Sequence, residues 1–190
     1  MPRCEEWKTT GSAWLFPVPW AFRSLLNFID EHYNSKQYPI FVTENGLSSR
    51  DSTGAGIGNG TDMAPNLNDQ FRIDFYNEYI GQMQRAIDED GVNVEAYTAW
   101  SLMDNFEWAR GYTERFGLHW TNYTDPARTV YRKASGDWYA RLARDNCVTG
   151  SAFDAEKCAA QVNDEDGAGS GVAPSVECFA FVSMLLLFFN

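Results

Sequence analysis

The sequence predicts an α/β fold built on parallel strands. Three observations carry this. The composition, 44% hydrophobic and 22% charged over 190 residues, is that of a globular chain. Helical and strand-like patterns alternate along it, the order of βαβ units. And the first strand-like run, Ile40-Phe41-Val42-Thr43, is apolar on both faces, as a strand covered on both sides is.

The elements follow in order. Residues 19–33 place Phe22, Leu25, Leu26 and Ile29 at spacings 0, 3, 4 and 7 behind a proline, one apolar helical stripe. Pro39 leads into the strand Ile40–Thr43, and Glu44-Asn45-Gly46 follows at its C-terminal end, with Gly46 read as the residue that permits a turn. Residues 48–68, rich in Ser, Gly, Asn and Asp, read as a surface loop. Its glycine run, Gly54 to Gly58, has no strand before it and no helix after it at the right spacing, so it is not a dinucleotide-binding loop. Residues 69–88 form a long helix with Ile73, Tyr76, Ile80, Met83 and Ile87 on one face, stopped by Gly91. Val92–Leu102 is the second strand, Met103–Tyr123 an aromatic loop, and residues 135–145 a short helix carrying Trp138 and Leu142.

Charge and the chain ends narrow the partners. With 15 basic and 26 acidic residues the net charge is −11, which excludes nucleic acid and argues against an anionic membrane surface, since both require a basic face. Much of the acidity lies in Asp154, Glu156, Asp164, Glu165, Asp166 and Glu177. The N-terminal residues lack the apolar run of a secretory signal. At the other end, GAGSG at residues 167–171 is followed by a spacer and then CFAFVSMLLLFF. Twelve such residues are short of the roughly 20 that span a bilayer. Small residues, a spacer and an apolar tail match a GPI-attachment signal; a tail packed on the body and a translated artefact are the alternatives. The sequons at Asn59 and Asn122 agree with a secreted or cell-surface location. There is no CxxC pair, so no zinc site is expected. Cys147 and Cys158 flank a short segment and are a candidate disulfide in an oxidising compartment, with free thiols as the alternative. The chain therefore divides into a body, 1–146, an acidic small-residue linker, 147–177, and a hydrophobic tail, 178–190. His32 and His119, each alone in its segment, read as structural.

Two places carry chemistry. Glu44 stands just past a strand's C-terminal end, where active groups of α/β barrels gather; a solvated turn carboxylate is the alternative. The run WSLMDNFEWARGYTERF, residues 100–116, sets Trp100, Phe106, Trp108, Tyr112 and Phe116 around Asp104, Asn105 and Glu107. So much aromatic surface is costly to leave in water. Indole faces interleaved with carboxylates and amides suit a sugar; a core loop whose acids cap helices is the alternative. Arg72 and Arg110 are candidates to support the acids, a role that spacing by itself does not show.

The strings TENG (Thr43–Gly46), WSLMDNFEWARGY (Trp100–Tyr112) and RFGL (Arg115–Leu118) resemble the C-terminal part of the family 1 glycoside hydrolases, the β-glucosidase family. The segment WLFPVPWAFRSLL (Trp14–Leu26) is similar to the stretch before that family's seventh strand. The resemblance spans about Gly11 to Arg144. It implies part of a (β/α)8 TIM barrel, about the last two strands and their helices, and β-glycoside hydrolysis with retention. It makes Glu44 the nucleophile, and it makes Trp100, Glu107, Trp108 and Phe116 substrate-binding residues. No metal or cofactor is implied, and the partner is a β-glucoside or related small glycoside.

The departures carry weight too. The family's acid/base glutamate lies in an Asn-Glu-Pro motif, and no such tripeptide occurs here; Asn77-Glu78-Tyr79 falls mid-helix. Ala21 stands where a glycine is usual, and Asn122 where an aspartate is common. A barrel takes about 250 residues. The expectation is a C-terminal piece that supplies the nucleophile and part of the sugar pocket, inactive and weakly stable by itself. A non-catalytic sugar-binding or truncated surface-anchored protein is the alternative.

Overall fold

The computed structural model describes residues 8–50 and 67–146, and the statements below concern those. The sequon at Asn59, the candidate disulfide Cys147–Cys158, the linker and the tail lie outside them.

Helix α1, Pro19–Tyr33, opens with proline at its first position, where a missing N–H costs nothing. It ends at Asn34, left-handed at φ 54°, whose N–H closes on the Asp30 carbonyl. Leu26 is buried, and Phe22 packs against Tyr79 with ring centroids 5.5 Å apart. One member of the predicted stripe departs from it. Leu25 is 52% exposed, alongside Trp20 and Phe28. The helix packs on one neighbouring helix, and a residue adjacent in sequence to buried Leu26 is turned about 100° away from that contact.

Strand β1, Ile40–Asn45, pairs in parallel with Val94–Ala99, the two forming a two-stranded sheet. The second strand is shorter than the predicted Val92–Leu102. Asn93 is tied at its N–H to Ser35 Oγ and at its carbonyl to the Ile40 N–H. Beyond Ala99 the chain turns so that the Ser101 N–H reaches the Phe116 carbonyl at 3.2 Å and Ser101 O accepts from Leu118. Within the described part of the predicted loop two residues form a strand: β2, Ser49–Arg50, pairs antiparallel with Glu114–Arg115.

Helix α2, Gln70–Asp88, links the parallel strands as βαβ units require. Tyr76, Ile80 and Met83 of the predicted stripe are buried, joined by Phe75, Tyr79 and Ala86. Gly91, at φ 74°, takes the chain out of the helix in a conformation that costs other residues energy. The Val94–Ala99 strand, β3, leads into the region read as an aromatic loop. That region holds a short helical turn at Trp108–Arg110, then β4, Glu114–Arg115, and β5, His119–Thr121. β5 forms a hairpin with β6, Val130–Arg132, and helix α3, Ala134–Asp145, follows. Trp138 and Leu142 of α3 are buried as predicted, Trp138 stacked on Tyr76 at 6.4 Å. The histidines are structural in their contacts: His32 Nδ1 meets the Phe28 carbonyl and His119 Nδ1 the Leu102 carbonyl, each at 2.8 Å. Among the described residues the parallel strands number two and close no barrel.

The start of α2 is joined to the rest through charge. Arg72 is 0% exposed. Its guanidinium donates to Asp69 at 2.8 Å, to the carbonyls of Leu47, Phe116 and Arg115, and to Ser49 Oγ. Asp69 in turn accepts from the N–H and hydroxyl of Ser135 at the start of α3. It thereby serves one of the helix donors that have no partner within the helix.

Two predictions follow from this core. Arg72→Met should lower unfolding free energy by about 3–5 kcal/mol, because it takes the counter-charge from the buried Asp69 carboxylate and a donor from each of three carbonyls; urea denaturation of the full chain measures it. Burial pushes the phenols of Tyr76, Tyr97 and Tyr139 up. The folded chain keeps those protons where the unfolded chain releases them, so stability present below about pH 10 is lost as the pH climbs above it. Urea midpoints falling steadily from about pH 10 upward would show it, with these three buried phenols adding their share of tyrosinate absorbance only on unfolding.

Candidate active site

The C-terminal ends of β1 and β3 bring two of the predicted residues side by side. Glu44 lies one residue before the end of β1 and is exposed. Trp100 directly follows β3. The strands are in register at Asn45 and Ala99, and the Trp100 N–H donates to the Asn45 carbonyl at 2.7 Å. On the far side, Trp100 O accepts from the Tyr76 hydroxyl at 3.1 Å. The Trp100–Ser101 peptide is cis.

Gly46 belongs to this juncture for a reason other than turn formation. A Cβ there would lie 1.9 Å from the Trp100 carbonyl oxygen and 2.9 Å from its carbon. Glycine is required because two backbones touch at that point.

The next turn of chain adds the third residue. Trp100 Nε1 donates to Glu107 Oε1 at 3.4 Å. Glu107 is half-buried, its own N–H bonded to the Gly111 carbonyl at 2.6 Å. Trp108 then takes a left-handed φ of 45°, a sparsely populated conformation for such a residue. Its indole is 86% exposed beside Glu107. Phe106, also exposed, sits edge-on to Tyr112, which lies on Tyr123 at 3.9 Å. Phe116 is placed differently: it is buried, and its carbonyl is shared by Ser101 and Arg72. Glu44 and Trp100 thus stand at one end of the sheet with Glu107 bonded to the Trp100 indole, Trp108 is exposed beside Glu107, and Phe116 is buried.

Asp104 secures the loop from within, and it caps no helix. It is 1% exposed and accepts from Arg115 at 3.2 Å, Lys133 at 3.0 Å and the Gly117 N–H at 2.9 Å. Gly117 is another close approach, since a Cβ would meet Asp104 N at 2.2 Å. Burial pulls the Lys133 ammonium down to about 8, with Asp104 opposing. The unfolded chain therefore holds that proton more tightly, and this group's cost to folding is relieved as the pH rises from about 8 to 10.5.

The two arginines read as supports for the acids do not touch Glu44 or Glu107. Arg72 anchors backbone, and Arg110 pairs with Glu114 at 3.4 Å. Glu114 is itself buried and bonded to Ser12, which meets Ser48. Asn122, the described sequon residue, is half-exposed, and its Oδ1 accepts from the Thr124 N–H and hydroxyl. Sequence reasoning passed over Tyr76 and Tyr97, whose hydroxyls reach Trp100 and Asn45; in sequence they are ordinary helix-face and strand aromatics.

Gly46→Ala should therefore force β1 and Trp100 apart. The expected result is a lower urea midpoint and loss of the Glu44–Trp100 juxtaposition, read as reduced hydrogen-exchange protection at the Trp100 amide.

Comparison with known proteins agrees with this architecture. The family described as Glycosyl hydrolase family 1 matches over residues 3–148. Human lactase/phlorizin hydrolase is 44% identical over 141 residues, covering 74% of this chain and 6% of that protein. Beta-glucosidase 42 of Arabidopsis thaliana is 43% identical over 134 residues, 70% of this chain and 25% of its own length. Among solved structures, a rice β-glucosidase, Os3BGlu6, superposes with a TM-score of 0.63 at 38% identity, over 71% of this chain and 26% of that one. A β-glucosidase 2 from the fungus Trichoderma reesei gives 0.63 at 39% identity, over 75% and 29%. The chain spans about a quarter of the length of the β-glucosidases it matches. These structural neighbours are TIM barrels, and the described residues correspond to a partial α/β piece of one. The chain belongs to glycosyl hydrolase family 1.

Proposed function

We propose that this chain supplies the nucleophile half of a retaining β-glycosidase acting on β-glucosides or related β-linked sugars. The observation that carries the reading is that Glu44, next to the Asn45 carbonyl that takes the Trp100 N–H, and Trp100, whose indole N–H reaches Glu107, stand at the C-terminal end of two parallel strands. That is the end where α/β barrels hold their reactive groups.

The chemistry runs as follows. The Glu44 carboxylate attacks the anomeric carbon. The bond to the aglycone oxygen breaks, and a glycosyl ester forms on Glu44. Water then attacks the same carbon and releases the sugar and the carboxylate. Glu107 accepts hydrogen bonds from hydroxyls remote from the reacting carbon, with its other contact, the Trp100 indole N–H, setting its orientation. Trp100 and Trp108 offer indole faces to the pyranose, and Phe116 supports the wall from below. Protonation of the leaving oxygen requires a second carboxyl about 5–5.5 Å from the first. The residues given roles here do not include it, and it is assigned to a part of the barrel beyond this chain.

That division of labour has a chemical test. A glycoside with a dinitrophenolate leaving group departs without protonation, and fluorine at the sugar's second carbon slows release of the covalent intermediate. Such a reagent should add one fluoroglycosyl unit to the peptide containing Glu44, seen by peptide mass spectrometry. Glu44→Gln should abolish labelling. Glu107→Gln should raise the reagent concentration needed for half-maximal rate by roughly tenfold, the scale of one lost charged hydrogen bond. Unactivated β-glucosides should not turn over on this chain alone. Labelling at another residue, or retained labelling in Glu44→Gln, would defeat the assignment.

A further inference from the structure

The ladder between β1 and β3 is irregular at the residue that matters most. From Val42 to Asn45 the first strand advances three residues, while its partner advances two, from Tyr97 to Ala99. Thr43 and Glu44 therefore lie opposite the single residue Thr98. A bulge of this kind re-aims the side chains beside it, and regular pairing does not fix their direction.

Two bonds hold the far end of the bulge, and both fall on Asn45. Its carbonyl accepts from the Trp100 N–H at 2.7 Å. Its side-chain Oδ1 accepts from the Tyr97 hydroxyl, also at 2.7 Å. Tyr97 is anchored in its turn: its ring is 2% exposed within the core cluster, and its carbonyl accepts from the Tyr139 hydroxyl at 3.2 Å. The phenol of a rigid core residue is thus committed to the residue that immediately follows Glu44.

We infer that Tyr97 is a positioning residue for Glu44: through Asn45 it latches the bulge that aims the carboxylate at the anomeric carbon. The inference rests on the reading of Glu44 as nucleophile. It also sets Tyr97 apart from Tyr76, whose hydroxyl reaches the backbone of Trp100 instead.

The test uses the full 190-residue chain and the activated fluoroglycoside, following the rate of Glu44 labelling against reagent concentration. Tyr97→Phe and Asn45→Ala should each lower the rate at saturation by roughly 10- to 100-fold, the cost of misplacing a reacting atom, with the half-saturating concentration unchanged. The double variant should lose no more than either single one, because both remove the same bond. Val94→Ala, a core change on the same strand, serves as the stability control and should leave the labelling rate unchanged. Three outcomes overturn the inference alone: Tyr97→Phe labelling at the parent rate, additive losses in the double variant, or Val94→Ala slowing as much as Tyr97→Phe. Failure of the unaltered chain to label at Glu44 removes the nucleophile reading, and this inference with it.

Discussion

The Arg72 guanidinium is the interaction on which the rest of the molecule leans. A fully buried positive charge is tolerable only when its donors are matched and a counter-charge is close. Arg72 meets that condition by reaching the two segments that follow the strands: Leu47 and Ser49 after β1, Arg115 and Phe116 beyond β3. With Asp69 and Ser135 it also fixes how α2 and α3 begin relative to each other. A hydrophobic contact could hold these parts near one another. Directional bonds to specific carbonyls hold them at one geometry.

The candidate site is assembled in layers around that tie. The sheet provides placement, through the Asn45–Ala99 pairing. Backbone contact provides closeness, through Gly46 against Trp100. The Asp104 cluster then shapes the loop that carries Glu107 and Trp108, because one carboxylate answers Arg115, Lys133 and the Gly117 amide together. The residues that face solvent, Glu44 and Trp108, do little of this work themselves. Their surroundings hold them.

Much of the fold was legible because period and composition report burial. The α2 face and the Trp138–Leu142 face of α3 follow from that rule. The run Ile40–Thr43 does form a strand, but it is not covered on both sides: Phe41 is exposed, because a two-stranded sheet leaves part of each face open. Glu44 could be singled out from its place by a strand's C-terminal end, although the strand does not stop at Thr43 but runs on through Glu44 to Asn45. What escaped was whatever depends on partners distant in sequence. β2 pairs with a strand more than 60 residues away, and two-residue strands leave no periodic trace. Arg72 read as a support for the site's acids and Asp104 as one of those acids, whereas each is buried in a structural network, Asp104 with Lys133 and Arg115, that spacing does not announce. Leu25 carries the helical spacing of a core residue, yet it faces outward, because spacing does not say how many neighbours a helix has. Gly46 read as a turn residue and is a point of contact between two backbones.

The parallel ladder has one more property. Its first matched pair is Ile40 with Val94 and its last is Asn45 with Ala99, so equal lengths of strand lie between them. The surplus residue near Glu44 on β1 is cancelled by one earlier on β3, between Val94 and Ala96. The two faults annul each other, and the helices entering and leaving the sheet meet an undisturbed frame. Change in how the carboxylate points is thereby insulated from the scaffold, which leaves descent with modification free to retune one without dismantling the other.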